Sequence, residues 1–181
     1  KNNLVPYIEN ILGVISILSI YFNIEKISKK IFYKFQIPPG RGKISKIKLK
    51  NKVINLIDES YNSNPLSLNF SIKKFNNINV NKSKKIVILG DMMELGKFSK
   101  KLHVQVSDII NNSNIDKVHV YGKHIRHTLN KIQTQKKGKI FNNKNEILNF
   151  IQNKIDNNNY LMVKGSNSTG LNTIVSKLKS I

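Results

Sequence analysis

The rhythm of apolar and polar positions changes once along the chain. Residues 4–23 are apolar nearly all round a helical wheel, which predicts a helix buried inside a larger body. Residues 24–36 (IEKISKKIFYKFQ) place Ile24, Ile27, Ile31 and Phe35 at helical spacing and predict a second helix. The segment IPPGRGK, 37–43, ends that regime: Pro38 and Pro39 cannot continue a helix, and Gly40 and Gly42 allow a sharp turn. It is the natural domain boundary.

Beyond it the pattern alternates. Short apolar runs at Val53–Asp58, Lys85–Gly90, Lys117–Tyr121, Lys139–Phe141 and Tyr160–Lys164 read as strands. Between and after them, Pro65–Phe75, Ser99–Asn112, Ile125–Ile132, Glu146–Ile155 and Leu171–Leu178 read as helices. The run KIVILG is apolar and β-branched without alternation, as expected of a strand covered on both faces. Strand, helix, strand, helix implies an α/β fold, a mostly parallel sheet with helices on both faces. Ligands of such sheets bind at the carboxyl ends of strands. Three loops there are polar: Asp58-Glu59-Ser60-Tyr61-Asn62-Ser63-Asn64, Gly90-Asp91-Met92-Met93-Glu94-Leu95-Gly96 and Lys164-Gly165-Ser166-Asn167-Ser168. Together they predict one ligand site on one rim.

Composition removes several alternatives. The 181 residues contain no Cys, so there is no disulfide framework, thiolate nucleophile or thiolate metal site. The four His do not suggest a zinc site. The apolar stretch Ile11–Phe22 is short of the roughly 20 residues needed to span a bilayer. A net charge of +21 suggests nucleic acid. Yet 29 of the 31 basic residues are Lys, only Arg41 and Arg126 are Arg, and the lysines are scattered. A surface that reads phosphates and bases would use the planar guanidinium more. Abundant Lys, Asn and Ile with no Ala point to A/T-rich codon bias as the simpler cause, so no nucleic-acid partner is expected.

The order PPGRG, LIDESYNSNP, VILGDMMELG with His103 following, then MVKGSNS, resembles the carboxyl-terminal part of a Mur ligase. The likeness runs from about Asn10 to the end and is greatest to the branch that ligates D-alanyl-D-alanine. It implies that residues 1–38 are the helical end of a central ATP-binding domain and 39–181 the carboxyl-terminal domain. It further implies an ATP-dependent, cytoplasmic ligase of peptidoglycan precursor synthesis. Such an enzyme joins D-alanyl-D-alanine to UDP-N-acetylmuramoyl-tripeptide through an acyl phosphate, with ATP and Mg²⁺. No G-x-x-x-x-G-K-[ST] phosphate loop is present. The Mg²⁺ ligands are expected upstream, and the ATPase and UDP-sugar-binding domains would be supplied in cis or in trans.

The same resemblance implies roles residue by residue. Arg41 would contact the nucleotide, Glu59 the ribose hydroxyls, Asn10 the adenine edge, and Tyr61 the nucleotide near its γ-phosphate. Asn62 and Asn64 would stand at the reacting junction, although Asn64 before Pro65 equally reads as a helix cap. Asp91 and Glu94 would orient the dipeptide ammonium. His103 would take part in the chemistry or serve as a structural hydrogen-bonder. Lys164 and Ser166 would bind the dipeptide carboxylate, with Asn167 standing where relatives often carry Arg. Two other readings stay open: a truncated Rossmann-like domain that is catalytically dead or serves only interaction, and a basic nucleic-acid-binding module.

Overall fold

The computed structural model describes residues 8–28, 30 and 36–180. The chain divides into two compact units, Lys1–Ile37 and Pro38–Ile181. In the first, α1 spans Ile8–Tyr21, and residues 4–7 of the expected helix lie outside the described residues. None of its residues is buried; Leu12, Ile17 and Ile20 are 56%, 61% and 74% exposed. This departs from the expected burial. A helix apolar on every side needs cover on every side, and the other described element of this unit is a single 3₁₀ turn, Ile24–Lys26. The expected helix over 24–36 is not continuous. The Asn23 side chain accepts the Glu25 amide at 3.0 Å and starts that turn, and Ile27 is already extended. Residues 29 and 31–35 of that segment lie outside the described residues. No described helix is long and apolar enough to cross a membrane.

The second unit is a six-stranded sheet in the order β1-β2-β6-β3-β4-β5. The strands are β1 (Lys43–Leu49), β2 (Lys52–Glu59), β3 (Lys85–Gly90), β4 (Lys117–Tyr121), β5 (Lys137–Phe141) and β6 (Tyr160–Lys164). All neighbours are parallel except β1, which pairs antiparallel with β2 from Lys43↔Asp58 to Leu49↔Lys52. The sequence reading contained every strand but β1. Its turn, Lys50-Asn51, carries no glycine, and Lys50 takes φ +46° instead; the usual hairpin signal is therefore absent.

Alternation along the central strands builds two cores. Ile54, Leu56, Ile86, Ile88, Leu161 and Val163 face α5 (Lys144–Lys154) and α6 (Leu171–Lys179). Ile57, Val87, Leu89, Val118, Val120 and Met162 face α2 (Pro65–Asn76), α3 (Ser99–Asn111) and α4 (Arg126–Lys131). Each fully buried Ile or Leu contributes about 1.5–3 kcal/mol relative to exposure. The decisive topological fact is that β6, last in the chain, lies between β2 and β3. Lys164 pairs with Glu59 on one side and Leu89 on the other, so the carboxyl ends of β2, β6 and β3 are neighbours.

Candidate functional site

Three loops leave those adjacent strand ends, and one side chain joins them. The Ser166 amide donates to the Asp91 carbonyl at 3.0 Å. Its Oγ donates to the Ser63 carbonyl at 3.2 Å and accepts the Met93 amide at 3.0 Å. Ser166 is 4% exposed, so these bonds are sheltered from water and hold segments 58–65, 90–96 and 164–168 on one rim. The convergence expected from strand order is therefore realised.

Lys164 is 2% exposed. Its Nζ donates to the Asn62 carbonyl at 2.9 Å and stands 3.8 Å from Glu59 Oε2. Burial is the largest influence on both groups: it lowers the Lys164 ammonium and raises the Glu59 carboxyl from their ordinary values, against their mutual attraction. At 3.8 Å the pair is loose, and the better bond of Lys164 goes to the Asn62 backbone. Asn62 itself is exposed, and its side chain accepts the Ser63 amide at 2.7 Å. Asn64 forms a capping box, its Oδ1 accepting the Ser67 amide at 2.8 Å while its amide donates to Ser67 Oγ at 3.1 Å. The cap reading of Asn64 is thus realised in the geometry.

Asp91 is buried and committed. Its Oδ1 accepts the Ile125 amide at 2.7 Å and its Oδ2 the Lys123 amide at 3.0 Å. Gly122, at φ +135°, lets the chain pass so close that a Cβ there would lie 2.5 Å from the Asp91 Cγ. Glu94 by contrast is exposed, with φ +63°. His103 is fully buried. Its Nε2 accepts the Met92 amide at 3.0 Å, so Nδ1 carries the proton and donates to the Ser99 carbonyl at 2.8 Å. Burial outweighs those contacts and lowers its basicity. With both nitrogens occupied, a neutral His103 shapes the loop after β3 instead of facing the rim.

Arg41 and Tyr61 form the exposed shoulder, with the guanidinium carbon 4.6 Å from the ring centroid and the ring 52% exposed. Asn10 stands in the first turn of α1, in the other unit. Three residues assigned no individual role from the sequence join the network around the rim. Ser63 supplies the carbonyl at the three-loop junction and a buried hydroxyl with no bonding partner. Asp58 and Lys179 form an ion pair at 2.5 Å. Alternation could have placed Asp58 on the face of Ile54 and Leu56, opposite Glu59; nothing local announces Lys179, 121 residues away. Among the described residues no cluster of three His, Asp or Glu side chains is placed to hold a metal.

Comparison with known proteins gives this geometry a family. Residues 44–167 match the family model described as Mur ligase, glutamate ligase domain. The UDP-N-acetylmuramoyl-tripeptide–D-alanyl-D-alanine ligase of Buchnera aphidicola subsp. Baizongia pistaciae is 34% identical over 144 residues, 78% of this chain and 30% of the relative. The Rickettsia prowazekii ligase of the same name is 27% identical over 93% of this chain and 36% of its own length. The chain therefore spans about a third of these relatives. Among solved structures, MurF from Acinetobacter baumannii superposes with a TM-score of 0.69 at 22% identity, covering 91% of this chain and 35% of that one. MurF from Thermotoga maritima in complex with ADP gives 0.65 at 19% identity, covering 81% of this chain and 32% of that one. Both likenesses are of fold. The chain belongs to the Mur ligase family and carries its glutamate ligase domain at residues 44–167.

Proposed function

We propose that this chain is the carboxyl-terminal portion of an ATP-dependent ligase that adds D-alanyl-D-alanine to UDP-N-acetylmuramoyl-tripeptide in the cytoplasm. In this reading, residues 1–38 end a central ATP-binding domain, and 39–181 bind the dipeptide and close over ATP. The observation that carries it is the knot at Ser166, which gathers the three sequence-predicted loops on one rim.

The residues fit their ligands as follows. The Arg41 guanidinium carbon stands 4.6 Å from the Tyr61 ring centroid with both side chains exposed, and a guanidinium so presented can grip phosphate or ribose oxygens in a fork. Glu59, with 14% of its side chain open, borders the same shoulder and accepts hydroxyl donors. Asn10 would meet the adenine edge. ATP, when bound, supplies the phosphoryl group that makes the acceptor carboxylate an acyl phosphate. The chain's own work is alignment of the incoming amine. Exposed Glu94 attracts its ammonium, while Asp91 and His103 hold the loop that carries Glu94. Lys164 holds the Asn62 backbone and adds positive charge beneath the site for the dipeptide carboxylate, beside Ser166 and exposed Asn167. No residue here is assigned to Mg²⁺.

A chimera tests this, with the chain replacing the matching third of the Buchnera ligase. It should form product only with D-alanyl-D-alanine, as read by mass spectrometry. Arg41→Ala should weaken nucleotide binding by about tenfold, the worth of a charge-assisted hydrogen bond, and lower turnover. Ser166→Ala should raise the KM for the dipeptide more than that for ATP. Wild-type kinetics in both variants would discard the assignment.

A further inference from the structure

Consecutive acids at the end of β2 serve opposite faces of the sheet. Glu59 points to the α2 face, where Lys164 lies. Asp58 points to the α6 face and is 3% exposed. It forms the floor of a cleft of about 510 Å³ between the 39–40 turn and α6. Its carboxylate is spent inside the protein. Oδ1 accepts the Ser60 amide at 3.2 Å and the Ser60 hydroxyl at 2.6 Å. Oδ2 accepts the Gly40 amide at 3.2 Å and the Lys179 ammonium at 2.5 Å. The backbone completes the grip: the Tyr61 amide donates to the Gly40 carbonyl at 3.2 Å, and the Gly42 amide to the Asp58 carbonyl at 2.6 Å. Gly40, at φ +76°, sits so close that a Cβ there would lie 2.7 Å from Tyr61 Cβ.

We propose that Asp58 is a positioning residue: closed by Lys179 from the last helix, it pins the Gly40 turn and so fixes the Arg41–Tyr61 shoulder. The clamp joins the first turn of the unit to its final helix. It explains why a buried carboxylate with four donors lies beside residues that present themselves to solvent. A buried acceptor deprived of one strong donor loosens the partners it holds, and here one of those partners is the Gly40 amide, immediately before Arg41. That the clamp steadies a nucleotide contact rests on the role of Arg41 proposed above.

The composition supplies the test. With arginine only at 41 and 126, an arginine-specific protease reads the Gly40 turn at one bond and α4 at the other. Cleavage after Arg41 reports opening of the turn, and cleavage after Arg126 reports loss of the fold around α4. Asp58→Asn and Lys179→Met should raise the rate after Arg41 about fivefold or more relative to that after Arg126. Lys179→Arg keeps the charge and should hold the ratio near wild type; the third cleavable bond it adds releases only the last two residues and is counted separately. The Gly40 amide should exchange faster with deuterium in Lys179→Met, which keeps the test open if Asp58→Asn does not fold. An unchanged ratio in Lys179→Met, both rates rising together, or Lys179→Arg as labile as Lys179→Met would overturn the clamp. No nucleotide enters the assay, so such a failure leaves the role of Arg41 to the ligation experiment.

Discussion

At the scale of single residues, burial decides which polar groups bond inward and which reach solvent. Asp91, His103, Lys164 and Ser166 are all buried and bonded inward, while Arg41, Tyr61, Asn62 and Glu94 reach solvent. The family motif does not separate these two sets, because residue type says nothing of depth. His119 shows the same logic away from the rim. It is 5% exposed, its Nδ1 accepts the Lys139 amide at 2.9 Å, and its ring lies 4.3 Å from that of Phe150. Burial, then repulsion from Lys117 and Lys139, pushes its pKa from 6.5 to about 4. The unfolded chain therefore protonates first. This contribution to stability is complete above about pH 6.5 and is lost as pH falls toward 4, to a limit of about 3 kcal/mol. Urea unfolding at pH 7 and pH 4.5 should show the loss, and His119→Gln should show less of it. His103 acts in the same direction and Glu59, raised by burial, in the opposite one; both are common to the two proteins and cancel in the difference. Equal losses would refute the account.

At the scale of elements, the loop after β2 is as much a helix start as a site. The Asn64–Ser67 capping box and Pro65 at the first helical position satisfy α2 at its open end. Asn64→Ala should cost about 1 kcal/mol and lower the melting temperature by about 2–4 °C, measured by circular dichroism on the same chain. A change in ligation beyond that loss would show that Asn64 also touches the chemistry. The α2, α3 and β6 boundaries agree with the sequence pattern within a residue or two, and at α2 the cap and the apolar period point the same way. The hairpin strand β1 was not legible. Its lysines alternate with one exposed and two buried apolar residues, Ile44 against Ile47 and Leu49, and only pairing with β2 makes that pattern a strand.

At the scale of the whole chain, β6 is the keystone. It bonds to both β2 and β3, so the sheet has no continuous centre without it. A chain ending at Asn159 should lose the cooperative unfolding transition, read by circular dichroism in urea. A chain beginning at Pro38 should keep its transition within a few degrees, since both cores lie wholly in the second unit. Retention of a cooperative transition by the first truncation would show that β1 to β5 suffice.

Local pattern by itself determined the alternation of strands and helices, the change of regime at PPGRG, and the three loops that had to share a strand end. Those are properties of neighbouring residues, set by side-chain period, β-branching and proline and glycine stereochemistry. Tertiary structure decided the rest. It chose the order that slots the last strand between two earlier ones, sent Asp58 and Glu59 to different lysines, and buried four of the polar residues that the motif names. The strand order, the two lysine partners and the Ser166 junction depend on groups more than 70 residues apart in the chain, and no local preference specifies which distant group will be there to take the hydrogen bond.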